Sequence, residues 1–274
     1  MVVFPFAKVN LGLNVVRRRS DGYHDIESIL YPIPLEDMLE AVLDGGLPDG
    51  ELHLSHSGLP VPGDPGNDLC QRAYRTFHAA CPLPGVRAHL HKMIPMGAGL
   101  GGGSSDATHM LMLLNELVGR PLDHRALHEL AASLGSDCPF FLERRARAAV
   151  GRGEVLSPVD VDLTGWTLVL LHPPVHVPTP EAYRLTRPSG RYMDLETVVG
   201  QPVRSWGERL LNGMEEGVFK AHPVIGDLKR SLLAAGAVHA AMSGSGSCVF
   251  GLFTDPPGRI VHPDEGVDEW QWLL

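Results

Sequence analysis

The chain lacks a positive excess: Lys and Arg number 23 against 32 Asp and Glu, a formal net charge of -9 over 274 residues. That excludes a broad nucleic-acid or anionic-membrane surface, though not a locally positive pocket for phosphate. Long apolar runs are also missing, none approaching the roughly 20 residues needed to span a bilayer. Met1 to Asn10 carries no signal-peptide pattern, so the expected location is cytoplasmic. The four cysteines, Cys70, Cys81, Cys138 and Cys248, are widely spaced with no CxxC, which favours free thiols over a disulfide frame or zinc site. Fourteen histidines occur without HExxH or finger spacing, and His89 and His91 alternate with Ala88 and Leu90 as on an exposed strand face. Internal repeats and low-complexity segments are absent. What is present is an ordinary globular composition, 44% hydrophobic and 20% charged, long enough for one large or two modest domains.

The most informative stretch is Pro95-Met96-Gly97-Ala98-Gly99-Leu100-Gly101-Gly102-Gly103-Ser104-Ser105-Asp106-Ala107. Five glycines in seven residues bend the backbone tightly and keep side chains away from its N–H groups. A helical pattern follows at once, with Ala107, Met110, Leu111, Leu114, Leu117 and Val118 on one face. Ser104, Ser105 and Asp106 are N-cap types at the junction. Glycine-aimed amides at the positive end of a helix suit a phosphate. The spacing formally fits a dinucleotide fingerprint, but the next segment, Asp123 to Leu134, is helical where a strand is required. A P-loop is excluded because Ser104 stands where it needs Lys.

Upstream, Ala7 to Val16 alternates as a strand, with Val9, Leu11, Leu13 and Val15 on one face and Lys8, Asn10, Gly12 and Asn14 on a polar one, which taken alone reads as solvated, although asparagine and glycine are poor strand residues. Lys8 and Asn10 thus project together, about 7 Å apart. A basic turn, Arg17 to Gly22, leads to Tyr23-His24. Leu52 to Ser55 is a strand, and Gly58 to Asp68 a loop. Asn67-Asp68 caps a helix burying Leu69, Cys70, Ala73, Tyr74 and Phe77. Val86 to Lys92 is a strand feeding the glycine loop. Gly135 stops the second helix after the loop, and Asp137 follows at the element boundary, a turn or cap residue by itself. Composition shifts at Pro158 to Gly165, giving expected domains 1–157 and 158–274. Trp166 to His172 is a strand. Helices are expected from Arg204 to Phe219, enclosing Asn212 and Glu215, and from Pro223 to Ala235. Strands Ala237 to Met242 and Cys248 to Phe253 flank Ser243-Gly244-Ser245-Gly246-Ser247, and the segment beyond Thr254 reads as loop.

These motifs, in this order from residue 7 to about 253, resemble the GHMP kinases, which phosphorylate small-molecule hydroxyls with ATP. Ala7-Lys8-Val9-Asn10-Leu11, the glycine loop, Gly135-Ser136-Asp137-Cys138-Pro139-Phe140 and the Ser243–Ser247 turn match the family's motifs, and Ala149 to Glu154 a shared turn. Asp21-Gly22-Tyr23-His24 and Val177-Pro178-Thr179-Pro180-Glu181-Ala182-Tyr183 resemble the branch whose acceptor is a CDP-linked methylerythritol of the non-mevalonate isoprenoid route. A kinase for mevalonate-type or sugar acceptors is not expected to carry those two segments. A non-catalytic nucleotide-binding relative is not expected to keep both Lys8 and Asp137.

The resemblance implies an α+β, two-domain fold with the active site in the cleft between domains. It implies ATP and Mg²⁺, the loop from Pro95 to Ser105 holding the phosphates, Lys8 and Asp137 as catalytic residues, and phosphorylation of the acceptor's 2-hydroxyl. Asp137 is either a general base or an orienting group. Asn10, Tyr23, His24, Thr179 and Tyr183 are implied to bind the acceptor, Tyr23 stacking on cytosine, with Leu30 where relatives often have an aromatic. Relatives usually carry a nucleotide-contacting Asn directly before that helix; here Asp68 holds the place with Asn67 one earlier, and the cap role alone also accounts for the pair. The Mg²⁺ ligands are open, with Ser104 and Ser105 as candidates. The protein is expected to act as a monomer or weak homodimer.

Overall fold

The computed structural model describes residues 1–63, 68–262 and 265–274. The chain begins with β1 (Val2–Val3), β2 (Phe6–Arg18), β3 (His24–Glu36), β4 (Met38–Leu43), β5 (Leu52–Gly58), α1 (Leu69–Ala80) and β6 (Val86–Lys92). Next come α2 (Gly102–Leu117), α3 (His124–Leu134), β7 (Arg147–Gly151), β8 (Val155–Pro158), β9 (Thr167–His172), α4 (Thr179–Leu185) and α5 (Leu195–Val199). It closes with α6 (Glu215–Ala221), α7 (Pro223–Ala234), β10 (His239–Met242), β11 (Val249–Phe253) and β12 (Asp268–Leu273). Helices and mainly antiparallel sheets make this the expected α+β class.

Two compact units share the chain. Unit 1 comprises Met1–Lys8, Ile33–Met96 and Gly101–Arg144; unit 2 comprises Val9–Pro32, Gly97–Leu100 and Arg145–Leu274. The composition shift at Pro158 therefore falls inside unit 2, because β7, before that point, pairs with β3.

Unit 1 is built on a sheet of order β1-β4-β6-β5, with β5 parallel to β6 and β4 antiparallel to it. Leu39, Ala41, Val86, Ala88 and Leu90 form its buried side and share a core with Ala73, Tyr74 and Phe77 of α1 and Met110, Leu111 and Leu114 of α2. Burial of each large apolar side chain there is worth about 1.5–3 kcal/mol. Asp68 caps α1 by accepting from the Cys70 amide at 2.7 Å, and Asp123 caps α3 by accepting from Ala126 at 2.8 Å. On the sheet's other side Ser55 and Ser57 bond to His89 and His91, the histidine-bearing strand face expected.

Unit 2 contains the antiparallel sheet β10-β11-β9-β12. Val169, Leu171, Met242 and Val249 of that sheet share a core with Val218 of α6, Ile225, Leu228 and Leu232 of α7, and Leu13 and Val15 of β2. β3, β7 and β8 continue a second sheet from β2, and Gly151 and Gly153 sit in the β7–β8 hairpin expected as a turn.

Three expectations need correction. The polar side of β2 is not solvated: Lys8, Asn10 and Asn14 are buried like the apolar side, because each has polar partners within the fold. The region from Arg204 to Phe219 is not one helix. Short 3-10 turns end near Arg209, and 211–213 runs beside β2, with Leu13 N–H donating to Leu211 O and Gly213 N–H to Leu13 O. The Asn212 side chain donates to the carbonyls of Met242 and Gly244, both at 2.7 Å, and this outcompetes helix formation until Glu215. Finally, the segment after Thr254 contains a strand, β12, paired antiparallel to β9.

Candidate active site

The glycine loop reaches α2 through a left-handed bend. Gly101 is the N-cap at φ 72°, and the helix starts at Gly102, earlier than the caps expected at Ser104, Ser105 and Asp106. Glycine takes that bend without Cβ strain, so the side-chain caps are displaced into the helix interior. In the loop Ala98 and Leu100 are buried, whereas Gly97, Gly99, Gly101 and Gly103 are at least partly open. At Gly99 (φ 79°) any Cβ would fall 1.9 Å from the Ser243 carbonyl oxygen. The turn at Ser243–Ser247 packs there: Ser243 Oγ donates to Gly99 O at 2.8 Å and the Cys248 amide to Ala98 O at 3.1 Å. The first amides of α2, at its positive end, have no acceptor within the helix and suit an anion.

In unit 1, Lys8 Nζ lies 3.8 Å from Asp137 Oδ2, the two side chains 5% and 42% exposed. Burial pushes the Lys8 ammonium below its ordinary pKa, and Asp137 pulls it back up. Asp137 precedes a 3-10 turn, Cys138–Leu142, yet its side chain makes no capping hydrogen bond. Its position is set instead by Phe140, edge-on to Phe6 at 6.1 Å between ring centroids, by Phe141, tilted against Phe6 at 5.3 Å, and by Thr108 donating to Cys138 O. A Cβ on Gly101 would stand 2.7 Å from Phe141 Cζ and 3.3 Å from Lys8 Cε, so the loop's helical end abuts the Lys8–Asp137 pair. Ser104 is half-buried. Ser105 is fully buried, its hydroxyl 3.3 Å from His109 Nδ1. Desolvation takes His109 down to about 4, so it is neutral at physiological pH.

Beside the loop, still in unit 1, lies a cavity of about 330 Å³ whose lining includes His56, Asp68, Leu69, Leu90, Met96 and Asp106. Its size, apolar walls and few polar groups suit a small-molecule moiety. Asp68 faces it while capping α1 and bonding His56 at 3.1 Å; Asn67 lies outside the described residues.

In unit 2, the Asn10 side chain donates to Ser28 Oγ at 2.7 Å and its amide to Ser243 Oγ at 3.2 Å. The His24 ring stacks on Tyr183 at 4.7 Å and 13°, and burial with the nearby Arg18 charge keeps His24 below its usual pKa. Tyr23 is exposed, with the Arg152 guanidinium 5.1 Å from its ring centre. Thr179 Oγ1 meets Ser245 Oγ at 3.2 Å. Leu30 is buried core. Sequence reading missed Ser28, and for Arg152 and Ser245, which lie in matched turns, it missed the partners Tyr23 and Thr179, distant in the chain.

The chain matches the description "GHMP kinases N terminal domain" over residues 68–144 and "GHMP kinases C terminal" over 199–262. These matches and the fold make the chain a small-molecule kinase of the GHMP class. A Bacteroides fragilis 4-diphosphocytidyl-2-C-methyl-D-erythritol kinase is 45% identical over 265 residues, 96% of each chain. A solved 4-(cytidine 5'-diphospho)-2C-methyl-D-erythritol kinase superposes with TM-score 0.76 at 36% identity, covering 92% of this chain and 90% of that one. The Methanococcus jannaschii mevalonate kinase, at TM-score 0.67 and 13% identity over 92% and 90% of the two chains, shares the fold alone. The chain belongs to the 4-diphosphocytidyl-2-C-methyl-D-erythritol kinase family of the GHMP kinases.

Proposed function

We propose that this protein transfers the γ-phosphoryl group of ATP to the 2-hydroxyl of 4-diphosphocytidyl-2-C-methyl-D-erythritol. The observation that carries the reading is the Lys8–Asp137 pair at 3.8 Å beside the helical end of the glycine loop. Phosphoryl transfer asks a protein mainly for positioning and charge stabilisation. In this reading the loop from Pro95 to Ser105 cradles the ATP phosphates and the cavity from His56 to Asp106 takes the adenosine. Asp137 accepts a hydrogen bond from the acceptor hydroxyl and aims it, and the Lys8 ammonium stabilises the phosphoryl group in flight. His24, Tyr183 and Thr179 hold the cytidine end, with Tyr23 at the rim and Asn10 positioning the acceptor.

Mg²⁺ would arrive with ATP, and the donors at hand fit it: the Asp137 carboxylate and Ser104 hydroxyl are hard oxygens of the kind Mg²⁺ accepts beside phosphate and water. Bound there, it would neutralise charge on the transferring phosphates. Among the described residues no group of three or more His, Cys, Asp and Glu forms a cage for it, and Ser105 is turned toward His109. The family's two halves are proposed to divide near residue 158, between the two matched segments. A monomer or weak homodimer in the cytoplasm is the proposed working form, supported by the four free cysteines and by one chain supplying every role above. The test is a panel of hydroxylated acceptors with Mg-ATP. The CDP-linked compound should far exceed free methylerythritol phosphate in kcat/KM, because remote binding energy positions the reacting hydroxyl. Equal values would overturn the assignment.

A further inference from the structure

Asn212 and Glu215, at the entry to α6, have no part in the mechanism above, yet both are buried polar groups of unit 2. The backbone around Asn212 is held on both sides, since Leu13 N–H donates to Leu211 O at 3.0 Å and Gly213 N–H to Leu13 O at 2.7 Å. Its side chain is fully employed. Nδ2 gives one hydrogen to Met242 O and the other to Gly244 O, and Oδ1 accepts from the Met214 amide at 2.9 Å. Glu215 adds to the grip, accepting from the Met242 amide at 2.8 Å while its other oxygen pairs with Lys229 at 2.6 Å.

A primary amide is the side chain suited to this place, with two N–H donors and an acceptor on one short stem. Because a peptide group is planar, holding its carbonyl also fixes the direction of its N–H. Asn212 therefore fixes two peptide planes, Met242–Ser243 and Gly244–Ser245, and Ser243 lies between them. Ser243 is fully buried, and its hydroxyl joins two further elements of unit 2: it donates to Gly99 O at 2.8 Å and accepts from the Asn10 amide at 3.2 Å. The backbones of the turn and the loop are themselves in contact, for a Cβ on Gly99 would fall 1.9 Å from Ser243 O. Packing that close passes a shift of the turn on to the loop instead of absorbing it.

We propose that Asn212 is a positioning residue for the nucleotide, which through Ser243 sets the bend of the glycine loop at Ala98 and Gly99. The proposal rests on the reading that this loop holds the ATP phosphates. Its test is calorimetric binding of ADP with Mg²⁺ to the full chain as wild type, Asn212→Ala, Ser243→Ala and the double variant, each measured below its own melting transition. N212A and S243A should each bind ADP about tenfold more weakly, the scale of one neutral hydrogen bond. The double variant should bind about as N212A does, because the two side chains act along one line of contacts. In steady state KM for ATP should rise about tenfold in N212A while kcat stays within about threefold of wild type. Val169→Ala, which opens a cavity in the same unit's core on β9, should melt lower and bind ADP like wild type. If N212A does not fold, Asn212→Asp takes its place with the same expected loss, since it keeps the volume and the Met214 bond but offers neither carbonyl a donor. N212A binding like wild type, a double variant weakened by the product of the single losses, or V169A losing affinity in step with its melting temperature would each overturn the proposal. Failure of both Asn212 variants to fold would do the same, making the residue one of folding alone. Wild type that fails to bind ADP would sink both this and the underlying reading. A chain that binds ADP as described but does not phosphorylate the CDP-linked acceptor would sink only the acceptor assignment.

Discussion

Replacing Lys8 by Met should move rate and stability in opposite directions. The pair at 3.8 Å is worth about 4 kcal/mol at an effective dielectric near 20. Solvent screening of Asp137, 42% exposed, reduces that to about 1–3 kcal/mol. Loss of a preorganised charge that acts on the transition state typically costs about 10²–10³ in kcat, and that is the expected loss here. Stability follows another sign. Burial holds the folded Lys8 pKa below the ordinary value of 10.5, so the unfolded chain binds that proton more tightly. The protonated ammonium therefore costs stability at neutral pH, and the cost fades as pH rises from the folded pKa toward 10.5. Met fills the same space without the charge, and the partly exposed Asp137 can be hydrated in its place. The melting temperature of Lys8→Met should stay level or rise, by about 2–4 °C for each kcal/mol gained. In wild type, kcat should fall as pH climbs through the lowered Lys8 pKa, a limb the variant lacks. Steady-state kinetics and melting curves at neutral pH suffice: kcat within about threefold of wild type, or a melting temperature more than about 5 °C lower, would refute the reasoning.

Asp137→Asn should lose about 10²–10⁴ in kcat while keeping ADP affinity and melting temperature, since the side chain makes no cap bond; a lowered melting point with normal kcat would mark it as structural. Gly99→Ala drives a Cβ to 1.9 Å from Ser243 O at positive φ and should melt several degrees lower, whereas Gly103→Ala meets the flexible ends of two side chains, Leu69 Cδ1 at 3.3 Å and Met96 Cε at 3.6 Å, and should fold normally; equal melting points would contradict the packing. Tyr183→Ala removes the His24 stack and should raise KM for the CDP-linked acceptor about tenfold with KM for ATP unchanged, a split visible in two substrate titrations. His109 and His239 are both held down to about 4 by burial. The unfolded chain takes up those protons first, so stability should drop as pH falls from about 6.5 to about 4, by up to about 3 kcal/mol per histidine. Chemical denaturation at stepped pH checks this, and a flat profile in that window would mean these rings are hydrated.

The parts legible in the sequence were those with local causes. The glycine run, the Asp68 and Asp123 caps and the strands Val86–Lys92 and Thr167–His172 follow from neighbouring residues. The polar side of β2 misled because alternation reports polarity, and polarity implies solvent only when no partner is at hand; Asn10 finds Ser28 and Asn14 finds Glu27. β3 was unread because most of it is buried without a clean two-residue period. β12, six residues long, has no meaning until β9 lies beside it. Asp106 read as a cap because its partner, Lys92, lies 14 residues away at the end of β6.

The passage of the chain back and forth between its units sets an order of events during synthesis. Unit 1 has all its residues once Arg144 is made, and its core can close then. Residues 9–32 are made before unit 1 is complete but belong to unit 2, whose other residues are 97–100 and 145–274. Ile29 must wait for Ala148, Leu13 for Asn212, and Asn10 for Ser243, 233 residues later. Until then Leu11, Leu13, Val15 and Ile29, all buried in the finished protein, stay without their final cover. Such long-range pairing is slow and exposes apolar strands to aggregation. β2 beyond Lys8 is therefore translated well before the residues that lock it in place.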